Sequence, residues 1–331
     1  MKVSVIVCTH DPRPDFLNQA VAALKAQTLP RPSWELLVVD NASATPLAPG
    51  LNRTWHPHQR VVREEQLGLA CARLRGIVET SGDVLVFVDD DNELDADYLE
   101  QALALAEKHP RLGAWGGSIR PQFEQPPPEW TRRYWGMLAI NEFKQDHIGA
   151  LPVGAGLCLR RAVARHYCRQ VTDCPLRLAL GRTGGSLVSA EDLDLARCVR
   201  ALDLGMGVFA ALKLSHLIPA RRLTEEYLLR LAEAAEFSNS LLAWLDSPDK
   251  APPRVPLKKR VRLMYDSIRK FGRKRRFHWA QRRGVRAFHQ IVPLLQTQMN
   301  HPDFVRLAGV WDARFSPQPA IADRKPFLQC Q

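Results

Sequence analysis

Three groups of side chains in this 331-residue chain have the types and spacing to do chemistry. The first is Asp89-Asp90-Asp91, which closes the apolar run Val84-Leu85-Val86-Phe87-Val88. Adjacent carboxylates repel one another, and at the mouth of a low-dielectric core they require a compensating charge, so a divalent cation is a natural partner. An acidic turn leading into a helix at Asp95-Ala96-Asp97 accounts for the same residues without a metal, because carboxylates also suit a helix N-terminus. The second group is Glu191-Asp192, which opens a helix after the glycine-rich stretch Gly181-Arg182-Thr183-Gly184-Gly185. These acids are candidates for proton transfer, and Ser189-x-x-Asp192 equally resembles a helix capping box. The third is His216, just after a strand-like run from Met206 to Leu214, with Arg221 and Arg222 close behind. Imidazole is a common metal ligand, and a lone histidine is just as much a structural residue.

Such distant residues meet only if the chain folds them to one edge, and the pattern of elements does this. Val3 to Cys8 reads as a buried strand, and Pro12-Arg13-Pro14-Asp15 opens a helix with Phe16, Ala20 and Leu24 four apart. Leu36 to Val39 is a second strand ending at the polar turn Asp40-Asn41-Ala42-Ser43. A third strand around Val61-Val62 leads through Gly68 into a helix with Ala70, Leu74, Ile77 and Val78 on one face, and Gly82 closes it before the acidic strand. Strand–helix alternation of this length predicts right-handed crossovers and an α/β, mostly parallel sheet flanked by helices. Ligands bind such sheets at the carboxyl ends of the strands, where Thr9, His10, Asp40 and Asp89 to Asp91 all fall.

Further along, a helix is expected from Asp95 to about Lys108 and a strand over Ala114–Ile119, followed by a proline- and aromatic-rich loop from Pro121 to Trp135. Pro152 to Arg161 reads as a strand entered through Gly154 and Gly156. Those glycines either admit a substrate close to the backbone or simply make a bend. Thr224 caps a helix running to about Leu245, after which Ser247-Pro248 marks a boundary.

The net charge of +11 is concentrated: residues 251 to 290 hold fourteen Lys or Arg against one acid, Asp266. Within that segment Leu257, Val261, Met264, Tyr265, Ile268 and Phe271 form a helical apolar stripe. The expectation is a helical, basic C-terminal extension that packs on the preceding α/β part and is drawn weakly to an anionic membrane surface; no nucleic-acid motif is present. Seven cysteines without a CxxC pair or zinc spacing read as reduced thiols of a cytoplasmic protein. The N-terminal apolar run is too short for a signal peptide, and no window is long enough to cross a bilayer.

Taken in order, Val3-Ser4-Val5-Ile6-Val7-Cys8-Thr9-His10, Leu24-Lys25-Ala26-Gln27-Thr28-Leu29, Leu36-Leu37-Val38-Val39-Asp40-Asn41-Ala42-Ser43, Gly68-Leu69-Ala70-Cys71-Ala72-Arg73 and Phe87-Val88-Asp89-Asp90-Asp91-Asn92 resemble successive blocks of the family 2 glycosyltransferases with the GT-A fold. The resemblance spans residues 2 to about 230 and implies a nucleotide-diphospho-sugar donor, UDP-linked by preference, and a divalent metal, Mn2+ or Mg2+. It implies Thr9 and Asp40 against the nucleobase, His10 stacked on it, Arg73 near base or diphosphate, and Asp89 and Asp90 at the donor ribose or sharing the metal. Asp91 is implied as the direct metal ligand, with His216 and Asp89 completing the set. Gly154 and Gly156 would lie beside the donor sugar, and Arg221 and Arg222 would meet phosphate oxygens. Asp192 takes the place of the catalytic base with Glu191 supporting it, while Asp194 points elsewhere and reads as structural or solvated. Leu74 and Asp11 depart from the family pattern, which more often has Asn at both positions.

The resulting expectation is a donor-binding and catalytic domain over residues 1–222 and a helical extension over 223–331. Its activity would be metal-dependent, inverting transfer of a sugar to a saccharide or lipid-linked saccharide, in the cytoplasm or at the inner face of the membrane. A catalytically silent nucleotide-binding scaffold shares most of these features. A nucleotidyltransferase would ordinarily carry a glycine-rich phosphate loop after the first strand, and Thr9-His10-Asp11-Pro12 is not one.

Overall fold

Strands β1 (Val3–Thr9), β2 (Trp34–Asn41), β3 (Gln59–Glu64) and β4 (Val84–Asp89) hydrogen-bond side by side in the order β3-β2-β1-β4, every neighbour parallel. Helices α1 (Pro14–Lys25) and α2 (Leu69–Glu79) make two of the crossovers between them. The computed structural model describes residues 1–47, 55–247 and 271–298. The apolar runs of β1, β2 and β4 are buried on both faces, as a sheet with helices on each side requires. Val3, Val5 and Val7 join Leu36, Val38, Val84, Val86 and Val88 in a core completed by Leu17 and Leu24 of α1. On the other face, Ile6 lies against Gly76 of α2. Each Val or Leu buried this fully contributes roughly 1.5–3 kcal/mol.

The second half of the sheet is mixed. The full order is β3-β2-β1-β4-β8-β6-β9-β5, with β7 (His147–Ile148) also on β9. Strand β8 (Cys158–Arg160) runs antiparallel between β4 and β6 (Leu112–Phe123), and β9 (Gly205–Ile218) runs parallel to β6. The short β5 (Asn92–Leu94) follows the acidic turn and pairs antiparallel with β9, matching Asn92 to His216. These antiparallel ladders extend the parallel core that strand–helix alternation predicts. Because β8 reverses direction, the residues that precede it lie at the same edge as the carboxyl ends of β1, β2, β4 and β9.

Several bounds differ from expectation for physical reasons. Helix α3 covers Tyr98–Lys108 rather than starting at Asp95, since Asp95 is tied to the sheet by its N–H to the Lys213 carbonyl. Strand β6 runs on to Phe123, through residues expected to be loop, because the long β9 offers it partners to the end. Conversely, residues 152–157 form a turn, and only Cys158–Arg160 are strand. Residues Glu129–Leu138, which begin inside the expected loop and run past its end at Trp135, wind into a 3-10 helix.

The described residues fall into two compact units. The first comprises Met1–Cys174 and Glu191–Ala220, and includes α4 (Arg161–Asp173) and α5 (Glu191–Arg197). The second takes Pro175–Ala190 and the chain from Arg221 on. Its centre is a helical pair, α6 (Glu225–Leu245) and α7 (Gly272–Gln298). Thr224 caps α6 as its sequence position predicts, accepting a hydrogen bond from the Tyr227 N–H. The rings of Phe237 and Phe288 meet edge-on, 6.3 Å apart, between the two helices. The stripe from Leu257 to Ile268 and the basic residues of 251–270 lie outside the described residues.

Candidate active site

The carboxyl ends of the parallel strands carry the expected residues to one edge of the first unit. Register sets Thr9 beside Asp40, and Cys8 beside Asp89. The turns after β1 and β2 each contain a residue with positive φ that is not glycine, Asp11 at 44° and Ala42 at 53°. Asp tolerates this region with help from local hydrogen bonds. The Asp11 N–H donates to Ser43 Oγ, and Asp11 Oδ1 accepts from the Ala44 N–H, so the two loops hold each other. His10 belongs to the same knot through its Nδ1, 2.8 Å from the Asn41 carbonyl oxygen.

Asp40 is almost fully buried and both of its oxygens are engaged. Ser43 and Leu47 donate backbone N–H groups to it, and Arg63 donates from Nη1 at 2.9 Å. Burial opposes its charge, but the hydrogen bonds from Ser43, Leu47 and Arg63 outweigh it and hold the carboxyl below the usual range. Arg63 was not singled out in the sequence. The signal was there in the pairing of strand ends, since β2 closes on Asp40 and β3 sets Arg63 opposite it.

The three carboxylates of the acidic turn separate into three different environments. Asp90 accepts from the Thr9 hydroxyl. Asp89, at the end of β4, lies 3.4 Å from Nη2 of Arg73. Asp91 turns inward, accepting from Asn92 Nδ2 at 3.0 Å, and its Oδ2 is 3.4 Å from Nε2 of His216. His216 lies within β9 rather than after it, and its Nδ1 is 3.0 Å from the Leu138 carbonyl oxygen. A donor hydrogen bond from Nδ1 to that carbonyl presents the lone pair of Nε2 towards Asp91, the arrangement in which a histidine binds metal. Among the described residues, no three His, Cys, Asp or Glu side chains form a metal-holding group by themselves. Of the expected ligand set, the structure therefore brings Asp91 and His216 together and leaves Asp89 with Arg73. A carboxylate oxygen and an imidazole nitrogen at this spacing fit Mn2+ or Mg2+ whose remaining ligands come from elsewhere.

Arg73 is the hub of the site. It is only 3% exposed. Nη1 meets Glu191 Oε1 at 3.1 Å, Nη2 reaches Asp89, and the guanidinium stands 5.6 Å from the centre of the Phe87 ring. Burial works against its charge, and Glu191, Asp89 and Asp192 more than restore it, so Arg73 is a firmly held cation. The nearby Cys8 is the reverse case: burial pushes its thiol up to about 12, which removes it as a nucleophile.

Asp192 sits beside this cluster and stays partly exposed, whereas Glu191 is buried. Gly154 donates its N–H to Asp192 Oδ2 at 2.7 Å, and Leu193 donates to Oδ1 at 2.8 Å. A side chain at residue 154 would place its first carbon 2.7 Å from Arg73 Nη2 and 3.1 Å from Asp192 Oδ2. Glycine here admits the catalytic candidates themselves. Gly156 serves packing, with φ of 69° and a carbonyl that accepts from the Tyr98 hydroxyl at 2.6 Å. Asp194, read from sequence as structural or solvated, is buried. Arg221 and Arg222 fall on the 3-10 turn Ala220–Leu223, where the second unit begins.

An open-edged α/β sheet with charged side chains gathered at the carboxyl ends of its strands defines a ligand-binding class. The family model described as "Glycosyl transferase family 2" matches residues 4–168, and the chain belongs to that family. Among curated proteins, it is 29% identical over 141 residues to a glucosyl-dolichyl phosphate glucuronosyltransferase of Haloferax volcanii, covering 41% of this chain and 44% of that protein. It is 27% identical over 203 residues to the succinoglycan biosynthesis protein ExoM of Rhizobium meliloti, covering 59% and 60%. The chain thus spans less than two thirds of the curated relatives it matches. A solved structure of S. aureus TarS 1-349 in complex with UDP-GlcNAc aligns over 90% of this chain and 92% of that one, at 14% identity and a TM-score of 0.49.

Proposed function

We propose that this chain transfers a sugar, with inversion, from a nucleoside-diphosphate sugar to a saccharide or lipid-linked saccharide acceptor. The observation that carries this reading is Asp192, a partly exposed carboxylate oriented by two backbone N–H groups at the ligand edge of a family 2 glycosyltransferase sheet. Asp192 takes the proton of the acceptor hydroxyl as that oxygen attacks the anomeric carbon from the face opposite the nucleotide. The bond from that carbon to the phosphate oxygen breaks, and the nucleoside diphosphate leaves with the electron pair. Glu191 supports Asp192 from behind by holding Arg73.

Asp91 and His216 are the residues that would hold a divalent ion, with Asp89 or the donor supplying further ligands. When bound, such an ion offsets the negative charge that gathers on the departing diphosphate. Asp40, Thr9 and His10 form the base-side wall, and uridine is the first base to test, since a carboxylate complements an imide N–H. Residues 1–222 form the donor-binding and catalytic domain in this reading, and 223–331 an extension. The relatives' names, one for a dolichyl-phosphate-linked substrate and one for succinoglycan biosynthesis, support work on lipid-linked or polysaccharide acceptors.

The test is release of nucleoside diphosphate from a panel of nucleotide sugars with Mn2+ or Mg2+ and candidate acceptors. Asp192→Asn should lower transfer by about 10²–10⁴-fold. The same variant should bind nucleotide as well as the parent does in calorimetry. Undiminished transfer by this variant removes Asp192 as the base, and an absence of transfer with every donor favours a silent nucleotide-binding scaffold.

A further inference from the structure

Arg63 is fixed by three partners and still has a nitrogen to spare. Its Nε donates to Glu65 Oε1 at 2.8 Å, and its Nη1 donates to Asp40 Oδ2 at 2.9 Å and to the Ser43 carbonyl oxygen at 3.1 Å. Nη2 meets no protein acceptor among the described residues. The side chain is 33% exposed, so this nitrogen is open to a ligand. Register places it: β3 sets Arg63 opposite Asp40 of β2, and β1 sets Thr9 opposite Asp40 on the other side, so the three are neighbours along the carboxyl edge. Asp40 and Glu65 already offset the single charge of the guanidinium. It has no surplus to attract a phosphate, and what remains is a directed N–H pair suited to a neutral carbonyl. Asp40 supplies an acceptor beside it, since Ser43, Leu47 and Arg63 take three of roughly four lone-pair sites on the carboxylate. Arg73, the arginine expected near the base, instead turns its terminal nitrogens to Glu191 and Asp89.

We propose that Arg63 selects the nucleobase of the donor: Nη2 donates to a keto oxygen of the base, and the imide N–H beside that oxygen donates to Asp40. This rests on the nucleotide-sugar reading above and adds to it the residue that sets base choice. Uracil carries such a keto–imide pair. Cytosine has an amino group in place of the keto oxygen and a bare ring nitrogen in place of the N–H, so it sets donor against donor and lone pair against carboxylate. A site built for hydrogen bonds rejects a ligand that leaves its polar groups unpaired. Adenine fails in the same way. Guanine shows a keto oxygen beside an N–H and belongs with uracil in the class that Arg63 accepts.

The full chain is titrated calorimetrically with UDP, GDP, CDP and ADP in the presence of Mn2+. UDP or GDP should bind more tightly than CDP and ADP. Arg63→Met should weaken the preferred nucleotide about tenfold or more and change CDP by less than about threefold, so that the preference collapses. The matching nucleoside, which lacks phosphates, should lose affinity by the same factor as its diphosphate. The thermal unfolding midpoint without ligand reports folding of the variant. Arg63→Lys keeps a charge beside Asp40 but lacks the second nitrogen of the fork; it should show the same collapse, and it serves if the methionine variant does not fold. Equal losses for UDP and CDP would make Arg63 a structural residue. A loss seen with the diphosphate and spared in the nucleoside would assign it to the phosphates, and an unchanged preference would remove it from the site. Each of these overturns the proposal while leaving the nucleotide-sugar reading in place, whereas a parent protein that binds no nucleoside diphosphate overturns both.

Discussion

The guanidinium of Arg73 and the carboxylate of Glu191 lie 118 residues apart in the chain and 3.1 Å apart in space, both almost wholly buried. A charge pair so far from water persists only while both members are present, because each alone is expensive to desolvate. Arg73→Met should therefore cost about 3–5 kcal/mol of stability, measured by denaturant unfolding. Adding Glu191→Leu should recover much of that loss, and a double-mutant cycle reads the coupling directly. A cost below about 1 kcal/mol for the single variant would show that the pair contributes little to holding the fold.

Gly154 gives a second test of the same cluster. Gly154→Ala places a carbon 2.7 Å from Arg73 Nη2 and against Asp192, so one of them must shift. Transfer should fall by about 10²-fold through displacement of the base, with donor affinity changed much less. A rise in donor KM at unchanged kcat would instead mean that the glycine faces the donor.

The pair Asp91 and His216 predicts a split between nucleotide binding and its metal-dependent part. Thermal shift by a nucleoside diphosphate should be larger with Mn2+ than without, following mass action on the folded state. Asp91→Asn and His216→Ala should each remove the metal-dependent increment and leave the metal-free shift in place. Retention of the full increment in both variants would locate the ion elsewhere.

Acid sensitivity should have two origins. His56 is buried against Trp34, their ring centres 4.1 Å apart, and burial, reinforced by His58 and Arg31, lowers it to about 4. The unfolded chain then binds a proton that the folded chain refuses. Stability is complete above pH 6.5 and declines as pH falls towards 4, by an amount on the order of 2 kcal/mol. Asp40 acts lower down, since its depressed folded value protects stability until the pH falls through that value. Unfolding of His56→Phe followed from neutral pH down to about pH 2 should lack the upper limb and keep the lower one, which lies below the ordinary carboxylate range.

The elements of the donor half were legible because their signals are local. Apolar runs, turn residues and helix periods lie within a few residues of each other, and the carboxyl-end rule then gathered Thr9, Asp40 and Asp89 to one edge. What could not be read was which carboxylate faces which partner. Asp89, Asp90 and Asp91 are neighbours in sequence, yet they meet Arg73, Thr9 and His216 in turn. That separation follows from the turn into β5, whose three residues carry no strand pattern and are strands only because β9 lies alongside. Arg73 likewise looks like any helical cation until the chain beyond residue 190 returns to cover it.

Strand β9 has a consequence for the order in which the molecule can be completed. It hydrogen-bonds to β6 over most of its length, to β5 beside the acidic turn and to β7, and it carries His216. A nascent chain that has emerged only as far as Ala190 holds every block of the donor half, yet β5 has no strand to pair with, Arg73 has no Glu191 and Asp91 has no histidine. Competence in this protein is thus acquired late in synthesis, and a truncation before Gly205 is expected to yield an aggregation-prone sheet edge rather than a minimal donor-binding domain.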